Sequence, residues 1–302
     1  MIESVKNITK FDTWILASRP KTLLAAVVPV VTGTSIVSYE TKVNFVASAV
    51  ALLCSVLIQV GTNFVNDLYD YLSGADSETR KGPTRALASG MLTVKEMKFA
   101  IFLVFAVTFI LGLYLVYIST WITLLIGLLS IFAGIAYTAG PYPLAYNGLG
   151  DVFVFLFFGI IGTVGTYYVQ VVDVSALVLW SSIPVGALIT NILVVNNYRD
   201  IDEDREVGKN TLAVKMGRKF TRYQYLIFMI LSYLILFVVY FTYNQRLFVF
   251  LPLLTLPLAI KLIRMIFHYS GNELNKTLEL TAKLSAFYGF LFAVGIFYYE
   301  NS

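Results

Sequence analysis

Three observations predict an all-α polytopic membrane protein. The 302-residue chain is 58% hydrophobic and only 13% charged, about half the charged fraction of an ordinary soluble domain. Apolar runs of about 20 residues, the length that crosses a bilayer as a helix, recur nine times. The Lys and Arg residues between them collect in alternate loops, the asymmetry that orients membrane proteins.

In chain order the predicted spans are 22–39, 43–66, 97–117, 120–138, 149–170, 174–197, 221–242, 247–266 and 279–299. Pro29 and Gly33 interrupt the first; both are tolerated where neighbouring helices satisfy the freed backbone. Ahead of it, residues 1–21 carry Glu3, Asp12, Trp14 and four basic residues. They have no short apolar core ending in small residues, which predicts that no signal peptide is cleaved. Nine spans with a cytoplasmic N-terminus put 20 of the 22 basic residues on the cytoplasmic side, leaving Lys42 and Arg246 outside. The expected location is the cytoplasmic (inner) cell membrane, as a multi-pass protein in contact with membrane lipid.

The whole chain, 1–302, reads as one transmembrane domain. Two four-helix pseudo-repeats, about 22–138 and 149–266, precede helix nine at 279–299. The single Cys54 excludes a disulfide framework, and the single His268 excludes a multi-histidine metal site. Nothing suggests a nucleic-acid partner or an obligate protein partner. The segments 67–96 and 198–220 are too long for plain connectors and read as binding segments or lids. Within the first, Ser77-Glu78-Thr79-Arg80 and Thr93-Val94-Lys95-Glu96 each carry a capping-box pattern suited to starting a short helix.

Chemistry concentrates at two acidic clusters. One runs Asn66-Asp67-Leu68-Tyr69-Asp70 and on to Asp76; the other runs from Asn196 through Asp200 and Asp202 to Asp204. Carboxylates beside hydrocarbon are costly, so their presence there argues for function. The Asn-x-x-x-Asp spacing of Asn66/Asp70 recurs at Asn196/Asp200, each time at a span's cytoplasmic end and 130 residues apart. Helical spacing aligns Asn63, Asn66, Asp67 and Asp70 on one face, with Gln59 a turn deeper, and likewise Asn196, Asp200 and Asp204. Hard oxygen donors of this kind suit Mg²⁺ shared with substrate phosphates. Two facing carboxylate sets around a diphosphate would repel one another without metal. Candidate metal ligands are therefore Asn66, Asp67, Asp70, Asp76, Asp200 and Asp204. Candidate diphosphate clamps are Arg19, Lys21, Arg80, Arg85 and Lys209. Asp70, Asp200, Asp204 and Lys209 are the expected catalytic set. A third polar island, Tyr137 to Asp151, turns between spans four and five; Asn63, Tyr137, Tyr142, Asp151 and Asn196 are candidate pocket residues. An ion-coupled transporter is the non-enzyme alternative, although such proteins carry their acids at mid-helix.

These residues resemble a known family. Arg19-Pro20-Lys21-Thr22, the Asn66–Asp76 cluster, Lys81-Gly82-Pro83, the run from Tyr137 to Leu144 and the long stretch from Asn196 to Val214 together are similar to the UbiA superfamily of intramembrane prenyltransferases. The five residues between Asp70 and Asp76 look like its menaquinone branch. The resemblance implies nine helices around a central cavity, capped by cytoplasmic loops. It also implies Mg²⁺-dependent transfer of a polyprenyl group from polyprenyl diphosphate to 1,4-dihydroxy-2-naphthoate, with decarboxylation, giving demethylmenaquinone. Other acceptors used by such enzymes, 4-hydroxybenzoate and homogentisate among them, stay open at this point.

Overall fold

Buried apolar faces and lipid-facing apolar faces alternate around a bundle of long helices. The computed structural model describes residues 9–74, 85–243 and 247–297, and among these every element is helical. Asp76, Arg80 and the capping signal at 77–80 lie outside them.

The short helix α1 (Lys10–Ser18) opens on a capping box between Thr9 and Asp12. Arg19 then takes a left-handed conformation (φ 51°), and Pro20 starts α2 (Pro20–Glu40), where its fixed φ costs no hydrogen bond. This hairpin bend holds Arg19 at the mouth of the bundle. Asn44 caps α3 (Phe45–Leu72). Its 28 residues extend about 42 Å, well beyond the ~30 Å hydrocarbon core. The last turns, with Asn66, Asp67 and Asp70, therefore project past the apolar zone. Thr93 and Glu96 form a capping box, but the helix it starts is the long span α4 (Val94–Ile118), not a short loop helix.

The fourth predicted span is α5 (Trp121–Ala136), only 16 residues long. Eight other helical segments are long and apolar enough to cross a membrane. The fifth span joins α6 (Gly150–Val154), a π-helical stretch Phe155–Ile161 and α7 (Gly162–Val171). After it comes α8 (Ala176–Arg199), whose apolar window is 72% buried, making it the central helix. The predicted long segment after it is mostly structured. It holds the short α9 (Ile201–Glu206) and the start of α10 (Leu212–Tyr243), which breaks at Gly217 with φ 80°. A 3₁₀ stretch Leu247–Thr255 leads into α11 (Leu256–His268), and α12 (Leu274–Phe297) completes the bundle.

The largest core cluster lies among α8, α10, α11 and α12, around Tyr198, Tyr225, Leu236, Tyr288 and Phe292. Hydroxyls buried there find partners: Tyr225 with Thr281 at 2.9 Å, Tyr233 with Thr255 at 2.7 Å, and Tyr288 donating to the Ser232 carbonyl at 2.5 Å. Unmet polar groups cost several kcal/mol in such surroundings. On the outside, Phe102, Phe132 and Phe241 stand 69%, 67% and 74% exposed, a surface suited to lipid.

Helices in lipid associate through close backbone approach at small residues. A Cβ on Gly159 would lie 2.6 Å from the Gly186 Cα, and one on Gly186 would lie 2.9 Å from the Phe155 carbonyl oxygen. This pair sets the distance between α8 and the π-helical stretch. Gly186→Leu is therefore expected to destabilise the fold by roughly 1–3 kcal/mol or more, lowering the unfolding midpoint in detergent. Gly112→Ala, whose added carbon meets nothing within 4 Å, should not lower it. Equal midpoints for Gly186→Leu and wild type would refute the packing argument.

Candidate active site

Where α3 and α8 end, a cavity of about 510 Å³ opens between them. From α3 it receives Gln59, Asn63, Asn66, Asp67 and Asp70; from α8 and α9 come Asn196, Asn197, Asp200 and Asp204. The periodicity of both acidic runs thus delivers their polar faces to one space. The acids stand at helix ends and not at mid-helix.

Asp70 is only 3% exposed and is held by three side chains among the described residues. Its Oδ2 accepts from Arg85 Nη2 at 2.6 Å, and its Oδ1 accepts from Tyr146 Oη at 2.5 Å and Lys209 Nζ at 3.2 Å. Those donors come from three different connections: α3–α4, α5–α6 and α9–α10. Lys209 also lies over the Tyr146 ring, 4.7 Å from its centre, a favourable cation–π position. It reaches there because Gly208 turns the chain with φ 75° and the Lys209 N–H donates back to the Asp204 carbonyl at 2.8 Å. This is the usual glycine-dependent way of ending a helix. The same turn is tied to the α5–α6 connection by Asn210 N–H to the Tyr146 carbonyl, 2.9 Å, and by Lys215 Nζ to the Asn147 carbonyl, 2.7 Å.

The neighbouring polar groups are also anchored. Asp67 Oδ2 accepts from the Ala86 N–H at 3.2 Å, and Asn66 Oδ1 from Thr138 Oγ1 at 2.8 Å. Asn63 Nδ2 donates to the Ser18 carbonyl and Thr22 Oγ1, 2.9 and 3.1 Å away, joining α3 to the bend that carries Arg19.

On the opposite wall, Arg199 is 2% exposed and grips Asp200 with two charge-assisted bonds. Nε donates to Oδ1 at 2.6 Å and Nη2 to Oδ2 at 2.7 Å. Arg199 Nη1 reaches Asn275 Oδ1 of α12 at 2.7 Å, and Nη2 reaches Asn196 Oδ1 at 3.0 Å. The guanidinium so held fixes the Asp200 carboxylate as a planar fork does. Sequence reading counts Arg199 only among the topology-setting charges, and names Tyr146 only as part of a polar island. Both are direct partners of the predicted acids. The one signal for Arg199 is its place beside Asp200 inside the second motif.

The other candidates divide. Arg19, Arg85, Lys209, Asn63, Tyr137 and Asn196 line the cavity. Lys21 does not; its ammonium is 3.8 Å from Glu279 and 85% exposed. Tyr142 is 58% exposed and outside the lining. Asp151 is buried but faces away from the cavity, accepting from Gln224 Nε2 at 3.1 Å. Tyr137 packs its hydroxyl against Gly150, where a Cβ would stand 3.2 Å away. Burial, with Asp151 and Asp70 nearby, raises its pKa, so it serves as a neutral phenol. Asp202 points away from the cavity toward Arg218, 2.7 Å away.

Two facing acid sets were expected to repel one another in the absence of metal. The fold meets that problem with cations: Arg85 and Lys209 on Asp70, and Arg199 on Asp200. Among the described residues no three His, Cys, Asp or Glu side chains close into a metal cage. The candidate donors that share the cavity, Asp67, Asp70, Asp200 and Asp204 with the Asn66 amide oxygen, are all hard oxygens. Such a set suits a divalent cation that completes its shell from a phosphate ligand and water. Beyond this polar mouth the cavity continues as an apolar stem past Phe153, Phe157 and Ile161. The whole is shaped for an amphiphile with an oxyanionic head.

Known proteins are similar to this chain in sequence and fold. Residues 26–297 match the pattern of the UbiA prenyltransferase family. A 1,4-dihydroxy-2-naphthoate octaprenyltransferase of Escherichia coli K12 is 32% identical over 97% of both chains. Among solved structures, a UbiA homolog from Aeropyrum pernix K1 superposes with a TM-score of 0.71 over 90% of this chain and 97% of its own, at 15% identity. One from Archaeoglobus fulgidus bound to DMAPP and Mg²⁺ gives 0.63 over 93% and 99%, also at 15% identity. A helical bundle with two acid-tipped helices around one cavity, matched along nearly its whole length, belongs to the UbiA prenyltransferase family, and the protein is a membrane prenyltransferase.

Proposed function

We propose that the protein transfers a polyprenyl group from polyprenyl diphosphate to 1,4-dihydroxy-2-naphthoate, with loss of carbon dioxide, giving the hydroquinone demethylmenaquinol, the reduced form of demethylmenaquinone. The observation that carries the donor half is one shared cavity, with Asp70, Asp200, Asp204, Arg19, Arg85 and Lys209 at its mouth and an apolar stem behind. The acceptor half rests on the naphthoate specificity named for the E. coli relative, 32% identical along the full chain.

Mg²⁺ fits the oxygen set of Asp70, Asp200, Asp204 and Asn66, with Asp76 of the first motif as a further candidate; when bound it supplies positive charge to the departing diphosphate. Arg199 keeps the Asp200 carboxylate in one orientation, so little reorganisation remains when a charged ligand arrives. Arg85 and Lys209 neutralise Asp70 in the resting protein, and both line the cavity mouth, where a guanidinium and an ammonium suit phosphate oxygens as the diphosphate leaves with the C–O bonding pair. Tyr146 holds Asp70 and Lys209 in register. The electron-rich naphthoate ring captures the allylic carbon, forming the new C–C bond. Its carboxylate leaves as carbon dioxide, so the cationic charge gained is matched by the anionic charge lost. Phe153 and Phe157 help keep water from the allylic carbon, which would otherwise be hydrolysed. The acid-bearing end faces the cytoplasm on this reading, because a nine-span topology read from the sequence puts 20 of the 22 basic residues on that side.

Purified protein given a polyprenyl diphosphate and each aromatic acceptor should yield a prenylated, decarboxylated naphthoate by mass and little product from 4-hydroxybenzoate. Prenylated hydroxybenzoate without naphthoate product would refute the acceptor assignment. Activity should vanish in chelator and return with Mg²⁺; full turnover in chelator would remove metal from the scheme.

Asp70→Asn should lower kcat by about 100-fold or more, whereas Tyr146→Phe, which keeps the ring under Lys209, should lower it by about tenfold, the scale of one hydrogen bond to a charged group. Loss of activity in Tyr146→Phe as deep as in Asp70→Asn would assign the hydroxyl a direct chemical part. In a Cys54→Ser background, Glu206→Cys should label from the cytoplasmic side and Thr41→Cys from the outside. Labelling of both from one side would overturn the orientation.

A further inference from the structure

Arg222 stands near the acid-bearing end of the bundle but does not line the cavity. Its Nε donates to Tyr198 Oη at 2.8 Å, and its guanidinium lies 5.4 Å from the centre of the Tyr198 ring and 6.0 Å from that of Phe267. Phe267 in turn meets Tyr223 edge to face, with ring centres 5.8 Å apart. Rings from α8 and α11 thus fix a cation on α10. The neighbouring arginines are matched by acids: Arg199 by Asp200, and Arg205 and Arg218 by Asp202. Arg222 and the exposed Arg264 have no acid partner among the described residues. An arginine held through its rings and its Nε keeps both terminal nitrogens for an outside oxyanion, which a guanidinium suits.

An apolar groove begins below Arg222. It holds about 180 Å³ between α10 and α11, with Met229, Tyr233 and Phe237 on one side and Ala259, Ile260 and Ile263 on the other. None of its lining residues lines the central cavity. Of that lining, Ile230, Leu234 and Ile260 are 48%, 54% and 45% exposed, so the groove opens on the outside of the bundle, where lipid lies. The Tyr233 hydroxyl is taken by Thr255 Oγ1 at 2.7 Å, so the wall requires no polar partner. On α10, Arg222 precedes Met229 by two turns on the same face, about 10 Å. On α11, Arg264 follows Ile260 by one turn. From Met229 to Phe237 the groove extends about 12 Å, less than half of the ~30 Å hydrocarbon core, the depth of one leaflet.

We propose that this surface is a site for an anionic glycerophospholipid of the leaflet at the acid-bearing end, its phosphate on Arg222 and Arg264 and one acyl chain in the groove. Charge complementarity selects that occupant. A hydrocarbon groove headed by cations without acid partners fits an anionic amphiphile, and basic sites between membrane helices bind acidic headgroups in this way. A zwitterionic headgroup brings its own cation, which the two arginines repel. Tyr198 directly precedes Arg199 in α8, so the headgroup braces, from outside the cavity, the turn that carries the Arg199–Asp200 pair.

Delipidated protein in detergent, titrated with phosphatidylglycerol or phosphatidylcholine and weighed intact by native mass spectrometry, should retain phosphatidylglycerol about fivefold more tightly or better. Arg222→Gln and Arg264→Gln should each weaken phosphatidylglycerol by about fivefold, the scale of one basic residue at a membrane surface, and leave phosphatidylcholine unchanged. Equal retention of the two lipids, or an unaltered preference in both variants, would overturn the proposal. A second measurement needs no variant. A phosphatidylglycerol with a diazirine at mid-chain, photolysed on the wild-type protein, should label peptides of α10 and α11 that line the groove. Excess unlabelled phosphatidylglycerol should suppress that labelling, and excess phosphatidylcholine should not. Labelling spread evenly over all the spans would refute the site, and displacement by geranylgeranyl diphosphate would give the groove to a prenyl donor instead.

Discussion

The buried Asp70 carboxylate organises the reactive end of this protein. A charge at 3% exposure is tolerable only when paired and hydrogen-bonded, because removing it from water costs several kcal/mol even after relaxation. The fold meets the requirement with one donor from each of three connections: Arg85, Tyr146 and Lys209. The acid thereby ties together three segments, two of which are also joined by Asn210 N–H to the Tyr146 carbonyl and Lys215 to the Asn147 carbonyl. Removing Asp70 would leave two cations and a phenol facing one another, so its structural and chemical roles cannot be separated by simple deletion. Arg199 and Asp200 repeat the arrangement across the cavity, and Asn275 extends it to α12.

Helix length explains why such charges can exist in so apolar a chain. α3 outruns the hydrocarbon thickness, and its polar residues occupy the excess. Below them the helix lines the cavity with Ala51, Cys54 and Ile58, and its polar lining there is limited to Gln59, Asn63, Ser55 and Thr62. The gradient along one helix, from carboxylate through amide to hydrocarbon, is the gradient of a lipid from headgroup to tail.

The spans were legible because a run of about 20 apolar residues has one solution in a bilayer, and the facing acids were legible because repeats at i, i+3 and i+4 share a helix face. The capping box at Thr93 and Glu96 was legible as a start signal, although its helix is a full span. Other features depend on contacts that no spacing encodes. Arg199 carries the same side chain as the exposed Arg205, and only the fold distinguishes a buried fork from a topology-setting charge. Lys21 stands two residues from Arg19 yet faces Glu279, because the left-handed turn at Arg19 separates their directions. Asp151 sits beside Gly150 and Tyr137 but is turned onto Gln224 of α10, a partner 73 residues away. Tyr142 and Tyr146 share one island; one is exposed and the other completes the Asp70 site.

The pairing of acids with cations also bears on how a prenyltransferase begins its cycle. A site of unpaired carboxylates would repel a diphosphate, and a site of unpaired cations would bind diphosphate so well in the ground state that departure gained nothing. In the resting arrangement Asp70 is paired with Arg85 and Lys209, and Asp200 with Arg199. Interactions that strengthen as the leaving group gains charge accelerate the reaction, whereas uniform binding does not. A neutralised, pre-bonded site holds the ground state loosely and keeps its donors oriented for the charge that develops. The apolar stem meanwhile retains the rest of the molecule, leaving the reactive bond where the acids end.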